Sequence, residues 1–164
     1  MKLPYAEPLT ILEPSPLVLP EPPRPGDPGG APCGLCDQDA GIWSDANWVV
    51  HNPVGGSIPG TVWLASREHF ESFADMPAHL AADFARIIGR VEAAILGLGG
   101  LARVHLYRWG DGNAHFHVWL LPRPEGMLDA TKHALPLWED VLPKAPQEAV
   151  DAAGAAIAEV LGRS

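Results

Sequence analysis

The most informative part of the sequence is the segment Asn113-Ala114-His115-Phe116-His117-Val118-Trp119-Leu120-Leu121. Its residues alternate as in a β-strand that buries one face, with Phe116, Val118 and Leu120 directed at the core. His115 and His117 would share the opposite face, roughly 6.5–7 Å apart along the strand. One imidazole can then hold a metal while its neighbour does chemistry beside it. An edge strand with two solvated histidines would give the same pattern.

Length and charge limit the possible classes of protein. A chain of 164 residues predicts one domain with a sizeable core. The net charge of −9 argues against a broad nucleic-acid surface, although a small nucleotide can still bind through local groups. No apolar run reaches the roughly 18 residues of a membrane span, and early prolines argue against a secretory signal. With only two cysteines, a disulfide scaffold is not indicated, and we predict a cytoplasmic protein.

Residues 1–32 form a proline-rich arm that we predict to be extended, because proline removes backbone donors and disfavours helix in its neighbour. The arm is too apolar for a freely solvated tail, so part of it is expected to dock on this subunit or on a partner. The apolar residues concerned are Leu9, Ile11, Leu12, Leu17, Val18 and Leu19. A disordered leader is the alternative, and the remainder, 33–164, is the predicted domain.

Cys33 and Cys36 form a C-x-x-C pair with a glycine between them, which suits a metal-binding knuckle. A redox pair and two buried thiols are the alternatives. The surrounding proline and glycine residues favour the metal, because a redox pair commonly opens a helix after a strand. A metal needs two more ligands, and His69 is of interest only in that context.

The remaining pattern predicts an α+β fold. We expect strands at Trp43–Asn52, Thr61–Ser66 and Leu101–Trp109, and a hairpin turn at Gly110–Asn113 that leads directly into the histidine strand. That strand should be antiparallel to the preceding one and end at Pro122 and Pro124.

The clearest helix spans about residues 75–98, with Asp75 as its cap and Pro77 in its first turn. Glycines end it, and apolar residues recur along it at helical spacing: Leu80, Phe84, Ile87, Ile88, Val91, Ile95 and Leu98. A short segment at Leu135–Leu142 and a C-terminal helix from about Gln147 to Leu161 follow. The predicted architecture is therefore an antiparallel sheet of about five strands, with the long helix on one face and a C-terminal helix added.

The order of these motifs resembles the histidine-triad (HIT) superfamily. Residues 59–69, Pro-Gly-Thr-Val-Trp-Leu-Ala-Ser-Arg-Glu-His, resemble a family strand, and residues 113–121 followed by Pro122-Arg123 resemble the triad strand. The resemblance covers roughly residues 33–125. Two positions depart from the pattern: Trp119 stands where the third histidine would fall, and Thr61 stands where many members have histidine.

The resemblance implies a set of functional residues. The galactose-1-phosphate uridylyltransferase branch carries a zinc site, and its matching residues here are Cys33, Cys36, His69 and His115. Four protein ligands leave no water to activate, which implies a structural Zn²⁺. Family members commonly pair, so the resemblance also implies a homodimer.

The middle histidine of the family, here His117, attacks a nucleotide phosphorus and forms a nucleotidyl-histidine intermediate. Imidazole suits this task because its ordinary pKa leaves it largely neutral at physiological pH. The predicted ligand is a small nucleotide or nucleoside phosphate, with Gly112, Asn113 and Trp119 as substrate-binding residues. The family binds ribose with an acidic residue that is missing from the loop here, and Asn52 is a partial substitute.

Three functions fit these residues. The first is a HIT-like nucleotide hydrolase or nucleotidyltransferase. The second is a catalytically impaired protein that binds nucleotides or serves as a scaffold, because Trp119 can donate a hydrogen bond but cannot act as a general acid. The third is a metalloenzyme in which His115 and His117 hold one metal together, against which the long helix argues.

Overall fold

The computed structural model describes residues 2–5 and 14–163. Within these residues the chain forms one antiparallel sheet in the order β1-β2-β3-β5-β4, with three helices. The elements are β1 (Trp43–Ser44), β2 (Trp48–His51), β3 (Val62–Ser66), α1 (Ala78–Leu96), β4 (Leu101–Tyr107), β5 (His117–Pro124), α2 (Ala134–Val141) and α3 (Gln147–Gly162). The predicted α+β class, the antiparallel sheet of about five strands and both long helices are confirmed. No helix within 2–5 and 14–163 combines the length and apolarity that crossing a bilayer requires.

One face of the sheet carries the main core. The apolar stripe of α1 and the inner residues of α3 pack against alternate residues of the strands, and most of these side chains are buried. Phe116 lies at the centre, with its ring centroid 4.9 Å from Phe70, 5.0 Å from Phe73 and 5.4 Å from Phe84. The alternation that predicted Phe116, Val118 and Leu120 as core residues is confirmed.

The first predicted strand is two short strands with a turn between them. The carboxylate of Asp45 accepts hydrogen bonds from the backbone N–H groups of Asn47 and Trp48, both at 2.8 Å. This turn reverses the chain, so β1 pairs antiparallel with β2 instead of continuing into it. The Asp-Ala-Asn sequence carries a recognisable turn signal, which the apolar residues on either side obscured.

The start of α1 also differs from the prediction. Pro77 occupies the N-cap position with extended backbone angles, and no side chain caps the helix. Asp75 lies two residues earlier, where its carboxylate accepts a 2.7 Å hydrogen bond from the Ser72 hydroxyl. The capping role assigned to Asp75 was therefore wrong, because the proline delays the first helical residue to Ala78.

The tight hairpin predicted at Gly110–Asn113 is instead a longer connection. β4 ends at Tyr107 and β5 begins at His117, so His115 precedes the strand. Backbone groups that a hairpin would pair with β4 bond elsewhere: Ala114 N–H donates to the Pro25 carbonyl at 2.9 Å, and Phe116 N–H to the Phe70 carbonyl at 2.7 Å. The antiparallel pairing of β4 with β5 is nevertheless as predicted.

The prolines expected to end β5 lie within it, because the strand continues to Pro124. The pairing with β3 reaches only as far as Val62, opposite Leu120. Beyond that point β5 has one paired neighbour, β4, and a proline is tolerated where a strand has a free edge.

Candidate metal cluster and histidine site

Four predicted ligands converge at one end of the sheet: Cys33, Cys36, His69 and His115. The cysteines come from the turn that follows the arm, His69 from the segment after β3, and His115 from the segment before β5. One potential ligand atom from each residue lies within 4.8 Å of all the others. Residues far apart in sequence are thus placed as one candidate metal centre.

The distances fit a tetrahedral metal. Cys33 Sγ lies 3.3 Å from His115 Nδ1, Cys36 Sγ lies 3.2 Å from His69 Nδ1, and Cys36 Sγ lies 3.7 Å from His115 Nδ1. With metal–sulfur bonds of about 2.3 Å and metal–nitrogen bonds of about 2.0–2.1 Å, a tetrahedron places sulfur and nitrogen about 3.5 Å apart. Two thiols and two imidazoles are also the donor set that zinc commonly takes.

The orientation of His115 is set by its second ring nitrogen. Nε2 lies 2.8 Å from the carbonyl oxygen of Ser66, to which it donates, so the lone pair is on Nδ1 and faces the cysteines. A backbone carbonyl that fixes the tautomer in this way is a frequent partner of metal-binding histidines. His115 is 1% exposed, and burial lowers the pKa of its ring, which favours the neutral form that binds metal.

Burial, followed by the hydrogen bond and the charge of Cys33, raises the pKa of Cys36 to about 11. A bound cation would reverse this preference, since metal coordination deprotonates a thiol. The donor set of two thiols and two imidazoles therefore suits a divalent cation.

His117 has a different environment from His115 although only Phe116 separates them. Its Nδ1 lies 2.8 Å from the carbonyl oxygen of His115, an acceptor, so Nδ1 carries the proton and Nε2 holds a lone pair. The ring is half-buried and lines a cavity of about 210 Å³ with Gly112, Asn113 and Trp119. An imidazole held in this tautomer presents a nucleophilic nitrogen.

The third hypothesis, a single metal held by both histidines, does not agree with this arrangement. His115 directs Nδ1 at the thiols, while His117 has its Nδ1 occupied by a carbonyl and is not part of the four-residue cluster. His115 therefore belongs to the candidate metal cluster, and His117 belongs to the cavity.

Three of the four predicted substrate-binding residues lie together. Gly112, Asn113 and Trp119 line the cavity of His117, and the side-chain oxygen of Asn113 also lies 3.6 Å from Cys33 Sγ. Asn52 lies elsewhere, because its amide donates to the Val150 carbonyl at 3.4 Å and packs against Gly154 of α3. The structure does not bring Asn52 to the His117 cavity.

A row of aromatic side chains, which the sequence analysis missed as a unit, crosses the same face of the sheet. His51, Trp63, Trp119 and Tyr107 are directly opposed in register on neighbouring strands. His51 stacks on Trp63 with centroids 4.0 Å apart, and Trp63 lies 6.3 Å from Trp119. Alternation along each strand predicts the face on which each aromatic residue lies, but only the register between strands shows that these residues form a row.

Gln38 links this row to the metal cluster. Its amide donates to the Ser66 carbonyl at 3.0 Å, the same oxygen that orients His115, and its side-chain oxygen lies 2.9 Å from His51 Nε2. Burial lowers the pKa of His51, so this ring is neutral at neutral pH. Neither Gln38 nor Ser66 was predicted, because their roles depend on carbonyl positions that the sequence does not show.

Part of the proline-rich arm packs against the loop before β5. Arg24 pairs with Asp27 and with Glu71, and donates to the Gly110 carbonyl at 2.6 Å. A Cβ atom on Gly26 would meet the Ala114 carbonyl oxygen at 3.2 Å, so the turn lies close against this loop. The predicted docking of apolar side chains takes a different form: Leu17, Val18 and Leu19 are exposed, while Leu9, Ile11 and Leu12 lie outside the described residues.

Comparisons with known proteins identify the fold. No protein-family model and no curated protein matches this sequence. The structure of a hypothetical histidine triad nucleotide-binding protein from Sulfolobus tokodaii matches with a TM-score of 0.60 and 16% identity, over 80% of this chain and 93% of that one. This chain has the histidine-triad fold. The resemblance inferred from the motifs is thereby confirmed at the level of the fold.

Two further solved structures share this fold. A Zn-bound histidine triad family protein from Mycobacterium smegmatis gives a TM-score of 0.59 at 18% identity, over 81% of this chain and 98% of that one. A uridylyltransferase gives 0.55 at 17% identity, over 80% of this chain but only 45% of its own length. The HIT-fold chain therefore spans somewhat less than half of that enzyme. At these identities the likeness establishes the fold, and the chemistry has to be argued from the residues.

Proposed function

We propose that this protein is a HIT-like nucleotide hydrolase or nucleotidyltransferase in which His117 is the nucleophile and a structural Zn²⁺ binds Cys33, Cys36, His69 and His115. The observation that carries the proposal is the 2.8 Å hydrogen bond from His117 Nδ1 to the His115 carbonyl. It leaves the lone pair on Nε2, and the ring lines an accessible cavity. Histidine-triad and uridylyltransferase structures share the fold, which adds support.

Zinc is proposed from the donor set and from geometry. Three sulfur–nitrogen distances of 3.2–3.7 Å match the edges of a zinc tetrahedron, and a Zn-bound protein of the same fold is known. Since all four positions are filled by protein, the role of the ion would be to tie the C-x-x-C turn, the end of β3 and the start of β5 together. This would also fix the His115 carbonyl that orients His117.

The proposed reaction has two displacements at phosphorus. In the first, the Nε2 lone pair forms an N–P bond while the bond from phosphorus to the leaving-group oxygen breaks, and that oxygen departs with the electron pair. In the second, an oxygen of water or of an acceptor phosphate forms a P–O bond while the N–P bond breaks and returns the electron pair to the ring, and an attacking water releases its proton to solvent. Dividing the reaction in this way replaces one difficult step by two easier ones.

The residues around His117 would act by position. Gly112 and Asn113 lie where backbone and side-chain donors can meet phosphate oxygens, and the Trp119 indole can donate one hydrogen bond. We omit Asn52 from the substrate contacts because its side chain packs on α3. Trp119 cannot protonate the departing oxygen, so we expect substrates whose leaving group is already stable as an anion, such as a nucleoside phosphate.

Trapping the intermediate tests the proposal. The wild-type protein is mixed with a dinucleoside polyphosphate, quenched in alkali and analysed by mass spectrometry. We expect a nucleoside monophosphate on His117, and none in His117→Ala, with His79→Ala as a matched surface-histidine control. Absence of the adduct from wild-type protein that turns the substrate over would reject the mechanism.

A second candidate function is nucleotide binding without turnover, including a scaffold role. Trp119 supports it, because this side chain packs against the cluster formed by Ile58, Leu121, Ala130 and Leu135, as a structural residue would. Under this alternative, nucleoside monophosphates bind but no substrate is consumed and no adduct forms. Restoring a titratable group with Trp119→His separates the two, since a general acid typically adds 10²–10⁴-fold to a rate.

Some sequence predictions stay predictions. These are the homodimer, the cytoplasmic location, the lack of a nucleic-acid or membrane partner, and the division into an arm (1–32) and a domain (33–164). The contacts of Arg24 and Gly26 with the loop before β5 support an arm that packs against the domain.

A further inference from the structure

A second cavity of about 220 Å³ lies on the other side of Trp119 from His117, between the sheet and α2. Its walls are largely apolar and are formed by Trp109, Trp119, Leu121, Pro53 and Pro136, with Thr61, Glu139 and Asp140 as polar members. Both departures from the HIT pattern noted in the sequence, Thr61 and Trp119, are thus wall residues of one cavity.

Thr61 and Glu139 line this cavity, and each has one buried atom without a hydrogen-bond partner in the described part of the chain, Thr61 Oγ1 and Glu139 Oε2. Thr61 is 2% exposed. Buried polar groups are nearly always hydrogen-bonded, and an unpaired one costs free energy, so a ligand that bonds to these two atoms would gain affinity by pairing them. Glu139 Oε1 has its partner, since it accepts from the Ser57 backbone N–H at 2.6 Å.

The chemistry of the cavity selects a ligand. Indole walls favour a flat ring, and the cavity is below the roughly 300–1,000 Å³ of drug-sized sites, so it has room for one ring system. A carboxylate oxygen accepts hydrogen bonds only, and an amino group on the ring would supply the donor. Burial raises the pKa of Glu139, against the lowering effect of the Ser57 and Ile58 backbone donors.

We infer that this cavity holds the base of the nucleotide whose phosphate lies at His117, and that it selects bases with an exocyclic amino group, namely adenine, guanine or cytosine. The inference rests on the proposed function, because it takes a nucleotide as the ligand. Trp119 lines both cavities, so its indole separates the base from the reacting phosphate and contacts each. Uracil is disfavoured because its carbonyl oxygens flank its ring N–H and would face the carboxylate.

The test is a calorimetric titration of the full chain in the His117→Ala background with AMP, GMP, CMP and UMP. At least one amino-bearing monophosphate should bind about tenfold more tightly than UMP, the size expected for one hydrogen bond to a charged group. In Glu139→Gln, the amide oxygen can keep the Ser57 bond, which places the NH₂ group where the free carboxylate oxygen was. The preference should then disappear or reverse toward UMP.

Two matched variants complete the test. Asp140→Asn removes an equal charge from the same cavity wall but no unpartnered atom, and should keep the preference. Thr61→Val removes the buried hydroxyl at nearly constant volume, and should raise the Tm of the free protein while weakening binding about threefold or more. Binding of all four monophosphates within threefold, or an identical change in Glu139→Gln and Asp140→Asn, would overturn the inference.

Failure of this inference can be told apart from failure of the proposed function. A base preference in His117→Ala without any adduct in the wild-type protein would reject nucleotidyl transfer and keep the base site. An adduct that forms equally well from donors of all four bases would keep the nucleophile and reject the base site.

Discussion

The two faces of the sheet differ in what covers them and in what their side chains can do. The face that meets α1 and α3 is apolar and largely buried, with Phe116 and Trp48 at 0% exposure. The opposite face carries His117 and the aromatic row, and α2 covers only part of it, which leaves two cavities. Phe116 and His117 are consecutive in sequence, yet Phe116 belongs to the packed face and His117 to the face with the candidate site.

The comparison shows why the sequence predicted one face better than the other. Helical and strand periodicity specify the packed face locally, so Leu80, Ile87 and Val91 of α1 were assigned correctly. The other face is assembled from the arm, the C-x-x-C turn and α2, which are distant in sequence. Its main contacts, such as His115 Nε2 with the Ser66 carbonyl, involve backbone atoms that carry no sequence signal.

The candidate site was predictable where residue types alone limit the chemistry. Two thiols and two imidazoles suffice to suggest a metal, and the structure brings all four together. The longer connection before β5 was not predictable, because the Ala114 amide bonds to the arm instead of to β4. The placement of Asn52 was also beyond the sequence, since a loop residue can face either side of a sheet.

Removing the proposed metal should have the largest effect on stability. We expect Cys33→Ser to reduce bound zinc from about one equivalent to near zero, and to lower the free energy of unfolding by more than about 5 kcal/mol. Elemental analysis and thermal unfolding measure the two, and Tm should fall by more than about 10 °C. His79→Ala, at an exposed histidine, should keep the metal. A metal-free wild-type protein of equal stability would contradict the separate roles of His115 and His117.

Removing the nucleophile should have the next largest effect, on turnover alone. His117→Ala is expected to reduce kcat/KM by at least about 10³-fold, or about 4 kcal/mol in the barrier, while metal content and Tm change little. Steady-state kinetics with a dinucleoside polyphosphate measure the loss, and His133→Ala, at an exposed position before α2, is the control. Unchanged turnover would show that His117 is not the nucleophile.

Truncating the neighbouring core residue should give the converse result. Phe116→Ala deletes a ring that contacts Phe70, Phe73 and Phe84, and should cost about 3 kcal/mol or more in unfolding free energy. Phe73→Ala removes a ring that is 54% exposed, and should cost clearly less. Chemical denaturation compares the two variants. Equal losses would mean that the packed face is not centred on Phe116.

The smallest expected effect is a pH dependence on the packed side. Hydrogen bonds from Asn47, and then from Arg86 and Trp48, lower the pKa of Asp83 below its ordinary value of 3.8. A carboxylate with a lowered pKa stabilises the fold above its unfolded pKa, and this stability is lost as the pH falls through the folded value.

The difference in stability between wild type and Asp83→Asn should accordingly be about 1–2 kcal/mol from pH 5 to 8 and shrink below about pH 4. Thermal unfolding between pH 2.5 and 7 measures it, with the exposed Glu125→Gln as control. A difference that grows in acid would show that the sign is wrong.

The contacts of the arm have a practical consequence for anyone who shortens this protein. A fragment beginning at residue 33 would lose Pro25, whose carbonyl accepts the Ala114 amide, and Arg24, which donates to the Gly110 carbonyl. Both partners lie in the loop that precedes His115 and His117. A trimmed variant that still folds would therefore expose this loop to solvent and proteases, and its loss of activity should not be blamed on the two imidazoles.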